Sequence, residues 1–153
     1  MLSLQPIAWY SWSFRILEGD REVARLDRSA FRERATFSLE GSQYEMRRTS
    51  LTLGTFVLER DGRLLAEATK PSAFRREFEV VAEKGPFRLQ AASWFRREFL
   101  LLQGSSRLGS VKPDSAFGRA ATADFPTTIP LPVRLFLVFL VLVLWQRAAT
   151  GSS

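Results

Sequence analysis

The sequence predicts a mainly β protein, a closed antiparallel barrel built around a hydrophobic C-terminal helix. Three observations predict it. Apolar and polar residues alternate with period two through most of the first 125 positions, with turn signals between the runs. A short motif returns at intervals that fit one pair of strands. Near the end lies LFLVFLVLVLW, Leu135–Trp145, eleven residues without a polar group. A helix of that composition is apolar on every face and has to be enclosed.

The strands follow in order from about residue 7. Tyr10, Trp12, Phe14 and Ile16 share one face. Ala35, Phe37 and Leu39 alternate with Thr36, Ser38 and Glu40, and Phe56 and Leu58 stand opposite Thr55 and Glu59. Phe78, Val80 and Ala82 alternate with Glu77, Glu79 and Glu83, broken only by Val81, and Phe87, Leu89 and Ala91 alternate with Arg88 and Gln90. Turns are expected at Gly19-Asp20, Gly41-Ser42, Asp61-Gly62, Lys84-Gly85-Pro86 and Gly104-Ser105. No segment of helical period precedes Pro130.

Strand number comes from the motif. Ser29-Ala30-Phe31-Arg32 recurs as Ser72-Ala73-Phe74-Arg75, Ser93-Trp94-Phe95-Arg96 and Ser115-Ala116-Phe117-Gly118, at spacings of 43, 21 and 22 residues. One period of about 21.5 fits all four if a copy is missing near Ser50, and a unit of that length is one up-and-down strand pair. The 119 positions from 7 to 125 then hold about eleven strands. A barrel of about eight strands fills itself with its own side chains, whereas a can of about eleven has room for a helix. Strands of about eight residues tilted by about 40° stand roughly 20 Å tall, and a helix over 133–146 measures about 21 Å. Ala66, Ala68 and Ala91 are small inward candidates that leave it space.

The apolar run has a second reading, as a membrane span over 131–147. Eleven residues rise about 16 Å, against about 30 Å of hydrocarbon. Insertion yields roughly −3 to −6 kcal/mol, and Arg134 inside a lengthened span costs about 3 kcal/mol. Burial of the same side chains in protein contributes up to roughly 15–30 kcal/mol, so enclosure is favoured wherever a sheet can surround the segment. Val133, Val138, Val141 and Val143 favour a strand. The length of the run, and Pro130 and Pro132 at its start, favour a helix of about 132–147. One domain is expected over 1–149, with a short tail at 150–153.

Composition removes several chemistries. The 153-residue chain has no cysteine and no histidine. Disulfides, thiolate zinc sites, cysteine nucleophiles, imidazole–metal sites and histidine proton shuttles are therefore out. Walker loops, dinucleotide fingerprints and nucleophile elbows are missing from the sequence. Glu77 and Glu79 read as a solvated strand face, and Asp20 and Asp61 as turn residues. The expectation is a protein that is not an enzyme and takes no cofactor and no metal. The N-terminus lacks a basic n-region and a clean apolar core, so a cytoplasmic location, peripheral at the membrane, is expected.

Three stretches carry a family resemblance: RSAFRERATFSLEGSQYEMRR (28–48), TFVLERDGRLLAEATKPSAFRREFEV (55–80) and ADFPTTIPLPVRLFLVFLVLVLWQR (123–147). Together they resemble the tubby-like barrel superfamily, which comprises tubby C-terminal domains, LURP-one-related proteins and phospholipid scramblases. The resemblance implies a roughly 12-stranded barrel threaded by a C-terminal helix, so the expected strand number is about 11–12. It also implies phosphoinositide binding through basic residues, although those residues do not align one by one onto this chain. The acylated cysteines of scramblase-like proteins are missing, and no acidic calcium loop is evident.

The net charge is +6, and 19 of the 22 basic residues are arginine. Motif copies two strands apart return to the same end of an up-and-down barrel. Arg32, Arg34, Arg75, Arg76, Arg96, Arg97 and Arg119 then form a basic crown beside Phe31, Phe74, Phe95 and Phe117. Such a rim suits anionic lipid headgroups or an anionic membrane surface. The plainer reading makes the phenylalanines core plugs and the arginines solvated, with Glu33, Glu77 and Glu98 neutralising part of the charge. A protein scaffold without a lipid ligand is a further alternative, its partner unspecified. Nucleic acid is the weaker idea: Phe74, Trp94 and Phe95 lie beside arginines and could stack bases, but no recognition motif is present.

Overall fold

Twelve antiparallel strands close into a barrel, and one helix fills it. The computed structural model describes residues 1–8, 12–28, 33–49, 54–93 and 96–151. The strands are β1 (Leu2–Pro6), β2 (Phe14–Glu18), β3 (Arg21–Arg28), β4 (Arg34–Leu39), β5 (Ser42–Arg48) and β6 (Thr55–Arg60). They continue with β7 (Arg63–Thr69), β8 (Glu77–Val81), β9 (Phe87–Ala91), β10 (Phe99–Gln103), β11 (Ser106–Pro113) and β12 (Ala121–Asp124). The helix, α1, runs from Leu131 to Ala149. Each strand pairs with its sequence neighbours, and β1 closes the ring by pairing with both β2 and β12.

The alternation places the expected side chains inside. Ala35, Phe37, Phe56, Leu58, Phe78, Val80, Phe87 and Leu89 are all buried. Val81, the residue that breaks the pattern, points outward and is 68% exposed. Two expectations need correction. The strands do not begin near residue 7: β1 lies earlier, at Leu2–Pro6, and β2 starts only at Phe14. β1 shows just two inward apolar residues, Leu2 and Leu4, too few to stand out as a period. Of the proposed Tyr10–Ile16 face, Tyr10 lies outside the described residues. The second correction is the Gly41-Ser42 turn, which is Glu40-Gly41, at φ of 49° and 80°; Ser42 already belongs to β5. Positive φ at both central residues is the hairpin geometry that glycine tolerates.

α1 is enclosed as its composition demands. Every residue from Val133 to Trp145 is buried. Pro130 caps the helix and Pro132 sits in its first turn, where a missing N–H is harmless. Small residues line the wall around it: Ala24, Ala35, Ala66, Ala68, Ala121 and Ala123 are buried. Larger groups interlock where space allows. The Phe56 ring meets Phe139 edge-on at 5.9 Å and Phe78 at 5.5 Å. An arginine marks each end of the apolar segment. Arg134 donates to the Ile129 carbonyl at 2.9 Å and lies 3.5 Å from the Glu18 carboxylate. Arg147 reaches Glu33 with two bonds of 2.5 and 2.6 Å.

A longer period underlies the wall. β-Bulges interrupt three pairings, β2–β3, β6–β7 and β10–β11, with Val23, Leu65 and Leu108 as the extra residues. Those residues stand 42 and 43 positions apart, close to the 43 that separates Ser29 from Ser72 and Ser72 from Ser115. Four strands therefore make one unit, and the barrel contains it three times, with β1 supplying the last strand of the final unit. Bulges increase local twist, so three at even intervals help close the wall. At the third, Gly109 is obligatory: a Cβ there would lie 2.0 Å from the Asp124 carbonyl oxygen.

Candidate functional site: the arginine-rich loop end

The barrel has two unlike ends. At one end, four of the five strand connections are two-residue turns, and α1 begins there. The connections at the other end are five to seven residues long, and they hold every copy of the recurring motif. The C-terminal turn of α1 emerges among them: its Trp145 indole donates to the Arg97 carbonyl at 2.8 Å.

Extending the motif by one residue separates its arginines into two kinds. The fifth position holds Arg76, Arg97 and Arg119, with Glu33 in the first copy. Arg76 in the β7–β8 loop donates to the Ser93 and Arg96 carbonyls of the β9–β10 loop, at 2.8 and 2.6 Å. Arg97 in that second loop donates to the Ser115, Ala116 and Gly118 carbonyls of the β11–β12 loop, at 2.7, 3.1 and 3.0 Å. Arg119 in the third lies over the Trp12 ring of the β1–β2 loop, 4.1 Å from its centroid. Each loop thus holds the next around the rim. Charged donors to carbonyls are among the stronger hydrogen bonds, and stacked arginine adds cation–π attraction. Burial lowers the pKa of Arg76 and of Arg119 from the usual guanidinium value. Glu33, the acidic member, instead takes Arg147 from α1 and Arg48 from β5.

Four described residues at the third and fourth positions, Phe74, Arg75, Arg96 and Phe117, face solvent. Phe74 is 97% exposed and Phe117 fully exposed, so these two are not core plugs. Arg75 and Arg96 are exposed, and their side chains make no hydrogen bond or ion pair among the described residues. Arg34, at the start of β4, pairs with Glu45 on the outer wall. Phe31, Arg32 and Phe95 lie outside the described residues. Of the seven arginines in the expected crown, Arg76, Arg97 and Arg119 bind loops together and Arg34 is ion-paired. Arg75 and Arg96 present open guanidinium groups.

Two cavities open at this end. One, of about 240 Å³, is lined by Lys70, Ala73, Phe74, Arg76, Leu144, Arg147 and Ala148. The other, of about 410 Å³ and shallower, lies among Arg96, Arg97, Glu98, Lys112, Pro113 and Ala116. Lys112 stands 3.5 Å from Glu98. Lys70, Lys112 and Arg147 were not among the sequence candidates. Lys70 had a usable signal: it is one of only three lysines in an arginine-rich chain and stands at the mouth of a motif loop. Among the described residues no group of three or more acidic side chains gathers as a metal site would. Glu77 is largely covered and lies 3.8 Å from Arg88, while Glu79 faces solvent.

No protein-family model matches the chain, and no curated protein and no solved structure matches it.

Proposed function

We propose that this protein is a non-catalytic, tubby-like barrel that binds anionic membrane surfaces peripherally, from the cytoplasmic side, through its loop end. One observation carries the reading: exposed Phe74 and Phe117 share a rim with the unpaired guanidinium groups of Arg75 and Arg96. Aromatic rings enter the headgroup boundary, and each basic residue near an anionic surface contributes about 1 kcal/mol. The loops that display these groups are braced by Arg76 and Arg97, so the contact surface is held in shape before it meets lipid. The family resemblance in the sequence supports the same assignment.

α1 is long and apolar enough to cross a membrane, with a mean hydropathy of 1.8, yet 72% of that window is buried inside the barrel. A tail anchor would require the helix to abandon that packing, which weighs against the alternative of a span over 131–147. Flotation with vesicles of phosphatidylcholine, with and without phosphatidylserine, tests the reading. Wild type should float only with the anionic vesicles and be released by high salt. The double variant Arg75→Glu/Arg96→Glu should lose about tenfold or more in vesicle affinity while melting as wild type does. Equal flotation of the variant would refute the rim as the contact surface.

A further inference from the structure

The cavity between the β7–β8 loop and the last turn of α1 combines charge and apolar surface, and the Lys70 ammonium in its lining takes no part in the bracing described above. Lys70, Arg76 and Arg147 line it, and among the described residues Glu33 is the one carboxylate that approaches, from the β3–β4 loop. Among the described residues three cations and one anion leave a formal charge of +2. The remaining lining is apolar: Ala73, Phe74, Leu144 and Ala148.

Lys70 is the least satisfied of these cations. Among the described residues its ammonium has one long contact, 3.5 Å to the Ala73 carbonyl, and it is only half-exposed. Burial lowers its pKa, the neighbouring Arg147 lowers it further, and Glu33 pulls the other way. A half-desolvated ammonium beside another cation is stabilised by an added anion.

We infer that this cavity binds a phosphate monoester carrying an apolar substituent, with the phosphate on Lys70 and the substituent against Leu144, Ala148 and Phe74. A monoester near neutral pH carries a charge of about −1.5 to −2, which matches the surplus. The apolar floor has no use for inorganic phosphate but suits the rest of an ester. A lipid whose headgroup is a bare phosphate and a soluble phosphate ester share this chemistry. The lipid source rests on the membrane reading above; the soluble source does not.

Phenyl phosphate is the soluble probe, followed by calorimetry on the full chain, with inorganic phosphate as the comparison. Phenyl phosphate should bind at least tenfold more tightly than inorganic phosphate. Lys70→Met should weaken it about tenfold or more. Ala148→Leu, at an exposed helix position, should fill the cavity and weaken it similarly with every cation kept. Arg75→Glu/Arg96→Glu should leave it within twofold. Unchanged binding in both Lys70→Met and Ala148→Leu, or equal affinity for the two phosphates, would overturn the site. Vesicles holding phosphatidic acid or phosphatidylserine at equal surface charge separate the sources. Preference for phosphatidic acid that Lys70→Met abolishes supports the lipid. Phenyl phosphate binding without any vesicle binding supports the soluble ester and sinks the membrane reading alone.

Discussion

The two ends of this barrel are built by different means. At the turn end, local geometry does most of the work: two-residue connections centre on Gly19, Gly41, Gly62 and Gly104, each at positive φ. At the loop end the connections are longer, and side chains reach far along the sequence to hold them. Arg97 bonds carbonyls 18 to 21 residues away, and Arg147 bonds Glu33 across 114 residues. An end made of tight turns offers little surface to a partner. An end made of braced loops can present side chains in fixed positions without committing them to the core. The candidate contacts and both of the cavities that open near the motif loops fall at the second end.

Three substitutions test that contrast, beginning with the helix both ends share. Phe139→Asp places an unpaired carboxylate in the centre of the core, packed against Phe56. The cost should exceed a typical domain stability of about 5–15 kcal/mol, so circular dichroism and gel filtration should show an unfolded or aggregated chain. A folded, monomeric variant would mean that the helix is not the core. Arg97→Met removes three carbonyl bonds and the guanidinium 5.6 Å from the Trp145 ring. It should cost about 2–3 kcal/mol by thermal or denaturant unfolding. Amide exchange should accelerate across 114–120, a different loop from the one mutated; acceleration confined to 92–98 would contradict the bracing. Gly62→Ala asks the turn end for the opposite behaviour. Its Cβ meets nothing within 4 Å, but φ is +83°, so a loss of about 1 kcal/mol with exchange changes restricted to the β6–β7 hairpin is expected.

Much of the architecture was legible because it depends on pattern. Ala35-Phe37 and Phe78-Val80 alternate, and LFLVFLVLVLW is apolar on all sides, so which residues face inward follows from period alone. β1 was not legible, because two leucines make no period; only the closed ring shows that a strand is needed between β2 and β12. The candidate site was half legible. Recurrence placed the motif loops at one end, but it could not separate Arg75 from Arg76. Adjacent residues in a loop point in directions that backbone conformation decides, and that is where one guanidinium meets solvent and the next meets carbonyls. Lys70 and Arg147 come together only through the threading of α1, a relationship no local spacing encodes.

The position of β1 has a consequence for assembly. The first strand must meet the twelfth, and the element that fills the interior follows all twelve strands in the sequence. Until both are in place the domain is an open sheet with two bare edges around a hollow. Such edges recruit other chains readily, and pairings this distant form slowly. The most hazardous moment for this molecule is therefore the interval before the helix is enclosed and Leu2 and Leu4 dock beside Ala123 and Ala121.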